Sequence, residues 1–185
     1  MRRLAATICV LMAGPGAADC PDAPDHSASI AGLLGEVQAA RTEAEAREIA
    51  NRMWGFWTDA PDELAQEMLD RGMTRRSSYD FLGALKDLDR LVAYCPEYAE
   101  GYNQRAFVHF LRQDFTPALR DLDRAIALSP NHVAALSGRA LTLMGLGRID
   151  EARSALDHAL ELNPWLPERR LAGPGGPLAP LGKDI

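Results

Sequence analysis

The sequence predicts an all-α protein: three 34-residue helix hairpins stacked into an α-α superhelix and preceded by a divergent helix pair. Three observations carry this. Proline-containing loops fall at Pro96, Pro130 and Pro164, two steps of 34. The same step links small residues at Ala84, Ala118 and Ala152, leucines at Leu88, Leu122 and Leu156, and aspartates at Asp89, Asp123 and Asp157. It also links Arg71, Arg105 and Arg139, each followed by a small residue at Gly72, Ala106 or Ala140. Small residues on both helices let an antiparallel pair approach closely, the leucines fill the space between, and each proline ends a second helix. One such hairpin cannot bury its own apolar face, whereas a stack of them makes a continuous core.

Residues 1–18 read as an export signal. Arg2 and Arg3 precede an apolar run from Leu4 to Met12, then a helix-breaking Gly14-Pro15-Gly16 and small residues up to Ala18. Cleavage after Ala18 is the expectation, with a periplasmic or secreted product. Asp19 stands where a lipid-attachment motif wants a small residue before Cys20, so a lipid anchor is not expected. Cleavage removes two arginines and no acid, which takes the formal charge from −6 to −8. It leaves Cys20 and Cys95, which in an oxidising compartment can form one disulfide. Residues 19–27 are expected to be a mobile N-terminus.

Residues 28–60 form the divergent pair. Ile30, Leu33, Leu34 and Val37 have helical spacing, and Thr42 with Glu45 is a capping box opening a second helix. Met53, Trp54, Phe56 and Trp57 would cover the N-terminal end of the stack. The three repeats occupy 65–98, 99–132 and 133–166, the first with a degenerate opening helix in which Arg75 takes an aromatic position. Thr116-Pro117 is expected to cap the second helix of the middle repeat, and Asn131 the first helix of the third. Residues 171–185, rich in glycine and proline, read as a disordered tail. No capping helix follows the third repeat, so its open end is a candidate surface for self-association.

The period and its residue pattern resemble the tetratricopeptide repeat (TPR). The middle unit matches best, with Tyr102, Ala106, Ala118, Leu122, Ala125 and Pro130 in register. The resemblance implies an inner surface lined by the first helix of each unit. By register that surface holds Met73 and Arg76, then Glu100, Asn103, Phe107 and Phe110, then Ser137, Leu141 and Met144. It also implies a protein or peptide partner rather than a substrate. One TPR subtype clamps carboxylates with lysine and asparagine. Asn103 matches one such position, but Phe107 and Leu141 replace the polar partners, so an apolar or helical segment fits better.

Signatures of other chemistry are missing. His26, His109, His132 and His158 occupy unrelated repeat positions, and no Cys-x-x-Cys, His-x-x-x-His or phosphate-binding glycine loop occurs. Neither a metal, a cofactor nor catalysis is expected. The net charge of −6 argues against nucleic acid, and no apolar run reaches the roughly 20 residues that span a bilayer. Asp87 and Asp121 are expected to pair with Arg90 and Arg124 on a solvated outer face. The expected role is a soluble periplasmic adaptor in the assembly or positioning of an envelope complex; the alternatives are a non-catalytic subunit of one stable complex and, behind it, a small-ligand-binding or enzymatic protein with its site in the groove.

Overall fold

The computed structural model describes residues 20–179; the expected export signal (1–18) and residues 180–185 of the expected tail lie outside them. Among the described residues the regular structure is nine α-helices: α1 (Ser27–Ala39), α2 (Glu43–Trp57), α3 (Glu63–Ser77), α4 (Phe81–Tyr94), α5 (Ala99–Leu111), α6 (Phe115–Leu128), α7 (Val133–Gly145), α8 (Ile149–Leu162) and α9 (Arg169–Ala172). The hairpins α3–α4, α5–α6 and α7–α8 stack in order, as the period requires.

Close approach within each hairpin depends on the small residues. A Cβ added to Gly72 would lie 2.7 Å from Leu88 Cγ. Ala106 and Ala140, at the same repeat position, are fully buried. Each hairpin turn passes through a left-handed residue at one repeat position: Tyr79 (φ 62°), Gln113 (φ 62°) and Gly147 (φ 74°). Only the third is glycine, so the first two hold a conformation that disfavours a side chain.

The recurring arginines and aspartates tie the stack together, and this corrects the expected outer-face pairs. Asp87 and Asp121 are buried. Asp87 faces Arg71 and Arg75 of α3, whereas Asp121 takes a two-pronged grip from Arg105 at 2.6 and 2.7 Å. Arg105 also reaches Asp89 of the preceding hairpin at 2.9 Å, and Arg139 repeats that link to Asp123 at 2.7 Å. Arg124 turns instead to Glu97 and the Pro96 carbonyl. The arginine stem crosses from helix to helix because residues sixteen apart face each other there, a relation invisible to a search within one helix.

Two expected caps shift by one or two residues. Asp114 is the residue preceding α6, which puts Thr116-Pro117 inside the first turn, where the missing proline N–H costs nothing. His132, not Asn131, caps α7, its Nδ1 accepting from the Ala135 N–H at 3.3 Å. Half of the expected α2 box forms: Thr42 Oγ1 accepts from the Glu45 N–H (3.2 Å), but the Glu45 carboxylate accepts from the Arg41 N–H (2.9 Å), one residue before the cap. The degenerate α3 is a complete helix. Asp62 caps it, accepting from the Ala65 N–H (2.8 Å) and from the Tyr94 hydroxyl (2.7 Å).

The α1–α2 hairpin does not extend the stack from its N-terminal end. It lies along the edge where α5 and α7 begin. Ile30, Leu33, Leu34, Val37, Ile49 and Met53 form one core with Val133, Leu162, Trp165 and Leu166. Gln38 donates to the Glu161 carbonyl (2.9 Å), and Arg169 pairs with Glu43 (3.3 Å). Trp57 stacks on His132 with ring centroids 4.3 Å apart, and its carbonyl accepts from the Tyr98 hydroxyl (2.8 Å). The physical reason is the two-sided apolar face of α2, with Met53 and the three aromatics Trp54, Phe56 and Trp57, which finds a larger apolar edge there than a single helix end offers.

Residues 20–27 and 171–179, expected to be mobile, both pack on the stack. Cys20 is disulfide-bonded to Cys95, with Cα atoms 5.1 Å apart, and His26 bonds Asp59 at 2.7 Å. At the other end, α9 and the following turn cover the third repeat. Leu178 is fully buried among Leu143, Ala152 and Leu156, and Arg153 donates to the carbonyls of Leu178 and Ala179. The open end assigned to self-association is thus occupied by the chain itself.

Candidate functional site

The concave face holds a cleft of about 340 Å³ between α5, α7 and the two non-repeat segments. Its walls are mostly apolar. Phe107, Phe110 and Leu141 come from the repeats, Trp54 from α2, and Leu166 and Pro167 from the turn after α8. Phe107 is 44% exposed, a large aromatic surface left open to solvent. Phe110 is held in place by Phe115, ring centroids 5.7 Å apart.

The polar residues of the cleft come from the same helices. Asn103 and Ser137, one repeat apart, line it, as do Gln104 and Thr142. Arg76, at the end of α3, lays its guanidinium 4.6 Å from the Phe107 ring centroid and donates to Gln104 Oε1. Burial lowers the basicity of that guanidinium, and Glu100 opposes the shift. Glu168 stands at another part of the rim.

Beneath lies a buried polar core. The Glu100 carboxylate accepts from Gln104 Nε2, from Asn103 Nδ2 (3.0 Å) and from His132 Nε2 (2.8 Å). His132 Nδ1 already accepts the Ala135 N–H, so its proton sits on Nε2. Gln104 therefore relays between Arg76 on the surface and Glu100 below it. Tyr98 lies close enough for burial, and then Glu100, to push its phenol well above the ordinary range.

Of the nine groove residues assigned by register, Arg76, Asn103, Phe107, Phe110, Ser137 and Leu141 come together in the cleft. Three do not. Met73 packs against the core of the first hairpin and Met144 against that of the third. Glu100 is fully buried under the cleft floor. Trp54, Gln104, Thr142, Leu166, Pro167 and Glu168 line the cleft although register did not assign them to it. Gln104 and Thr142 lie on repeat first helices; the others lie on α2 or in the turn after α8, which first-helix register does not reach. Among the described residues no three histidine, cysteine or carboxylate side chains converge as metal ligands. No helix among them is long and apolar enough to cross a membrane.

Comparison with known proteins agrees with this architecture. The tetratricopeptide repeat family model matches residues 109–165. The Arabidopsis OM64 TPR domain superposes with a TM-score of 0.58 at 23% identity, covering 60% of this chain and 91% of that one. The TPR2B domain of yeast Sti1, solved in complex with pHsp70, gives 0.55 at 25% identity, covering 59% and 90%. The first TPR domain of Spaghetti (RPAP3), bound to an HSP90 peptide, gives 0.56 at 23%, covering 57% and 84%. No curated protein matches the sequence. Helix order and period agree with the fold of these tetratricopeptide repeat domains.

Proposed function

We propose that this protein is an exported, non-catalytic adaptor that binds a protein or peptide partner through the concave cleft, in the assembly or positioning of a cell-envelope complex. One observation carries the reading: an apolar cleft lined by Phe107, Phe110 and Leu141 and left open to solvent. Structurally similar TPR domains are known in complex with peptides, which supports a peptide-binding use by analogy of fold. The signal-like residues 1–18 and the Cys20–Cys95 bridge both favour an oxidising compartment reached after cleavage near Ala18.

The alternative, a subunit buried in one stable complex through its third repeat, loses its main support because Leu178 and α9 already cover that repeat.

The test is capture of the tagged protein after mild crosslinking in its own cells, beside Phe107→Ala. Phe107 is half-exposed, so its truncation leaves the fold intact by circular dichroism. Envelope proteins recovered with the wild type and lost with the folded variant support the adaptor. Recovery that ignores Phe107, or no partner at all, refutes it. A mature N-terminus at Asp19 tests the compartment separately.

A further inference from the structure

We propose that the protein carries a second binding site, separate from the concave cleft, that takes an organic cation: an ammonium group on an apolar stem. The inference does not rest on the cleft being the partner site.

The site is a cavity that no repeat builds alone. Its walls are residues 23–27 ahead of α1, Phe56, Trp57 and Asp59 at and just past the end of α2, the loop that opens α5, and the loop between α6 and α7. Two clamps fix the first wall. The Cys20–Cys95 bridge ties one end of that segment to the residue after α4, and His26 Nε2 meets Asp59 at 2.7 Å at the other.

The walls carry rings. Phe56, Trp57 and Tyr98 line the cavity together with the imidazoles of His26 and His132. His26 lies 4.7 Å from Phe56 and His132 lies 4.3 Å from Trp57, centroid to centroid, so the rings hold one another in place. Aromatic faces attract a cation through their quadrupole, more strongly where water is excluded. Ile30 and Leu128 add aliphatic surface along which a stem can lie.

The charge of the lining points the same way. Asp25, Asp59, Glu97 and Glu100 line the cavity, and neither a lysine nor an arginine does. Arg124, outside it, offsets Glu97 at 2.7 Å. The other three carboxylates are held by backbone, amide or imidazole groups. Asp25 accepts from the Ser27 N–H (3.0 Å), Asp59 meets His26, and Glu100 is held by Asn103, Gln104 and His132. Among the described residues none of the three has an ammonium or guanidinium within ion-pair distance. Their field reaches the wall, where burial, and then Glu100 and Asp59, raise the Tyr98 phenol. An entering cation gains both the rings and this charge; a neutral hydrocarbon gains only the rings, and an anion is repelled.

Two sources present such a group: a free alkylamine, and a lysine side chain of another protein. The experiment uses the full disulfide-bonded protein and follows the Trp57 indole N–H resonance, assigned with Trp57→Phe. The probes are butylammonium, its neutral isostere butanol, and a blocked pentapeptide with one central lysine among glycines. The expected result is a saturable shift, with butylammonium about tenfold or more tighter than butanol. Asp59→Asn, at a half-exposed position, weakens butylammonium about threefold or more and leaves butanol unchanged. Phe107→Ala, in the cleft, changes neither. Binding of the peptide as well marks a protein lysine as the source, and binding of butylammonium alone marks a free amine.

Three outcomes overturn the inference. If butylammonium does not saturate, there is no site. If butanol binds as well as butylammonium, the cavity reads apolar surface and not charge. If Asp59→Asn leaves butylammonium unchanged, the cation sits elsewhere on the acidic surface. The first two are read on the unaltered protein, so they stand whatever Asp59→Asn does to the fold. None of the three touches the adaptor reading, which Phe107 tests.

Discussion

His132 joins three parts of the molecule, and its removal is the sharpest test of how the N-terminal hairpin is held. The ring caps α7 through the Ala135 N–H, donates to the buried Glu100 carboxylate at 2.8 Å, and stacks on Trp57 of α2 at 4.3 Å. In His132→Ala the cap is worth about 1 kcal/mol. The hydrogen bond to a buried carboxylate adds about 2 kcal/mol, and the ring stack about 1 kcal/mol. The three contributions together come to about 4 kcal/mol. For a chain of this size each kcal/mol moves the melting midpoint by about 2–4 °C, so a fall of roughly 8–16 °C is expected. The assay is thermal and urea unfolding by circular dichroism, with Trp57→Leu and the double variant completing a cycle. The cycle should return a coupling of about 1 kcal/mol, since the two residues touch. A loss under about 1 kcal/mol for His132→Ala, or no coupling to Trp57, refutes the view that this contact docks the hairpin.

Three further outcomes follow from the same structure. Breaking the Cys20–Cys95 bridge, which spans 75 residues, should cost about 4.5 kcal/mol in the chain-entropy model, so reductant, Cys20→Ser and Cys95→Ser should lower the midpoint alike; equal melting with and without reductant would sink this. Leu178→Ala should cost about 2–4 kcal/mol because it empties a fully buried site on the third hairpin, and an unchanged urea midpoint would mean that the last turn does not pack. Burial pulls the His109 imidazole below its ordinary value of 6.5, against the pull of Asp121. The unfolded chain then takes up the proton first, so this contribution is complete above about pH 6.5 and is lost as the pH falls from there toward the lower folded value. Urea midpoints should drop on acidification and drop less in His109→Gln; identical slopes would contradict the assignment.

Most of the repeat architecture was legible because its contacts are local and recur. Ala84 meets its helix partner at an offset that Ala118 and Ala152 share, so the period itself reports the packing. The six cleft residues found by register were legible for the same reason: a first-helix position in one unit predicts that of the next. Register failed where depth mattered. Glu100, Met73 and Met144 have inward spacing, but a one-dimensional pattern does not say whether a side chain stops at the cleft or continues beneath it.

What the sequence by itself determined is the hairpin: the close approach at Gly72, Ala106 and Ala140, the helix ends, and the order of stacking. Only the tertiary structure decided that Asp87 and Asp121 are buried rather than solvated, because their arginine partners lie on the facing helix, sixteen residues away. It also decided that α1–α2 rests on Val133, Leu162 and Trp165, about a hundred residues downstream, and that Leu178 seals the third repeat. Trp54 thereby becomes a wall of the cleft. These contacts belong to no period. They form because apolar faces without a repeat partner settle on the largest apolar edge within reach, and that edge exists only once the stack has formed.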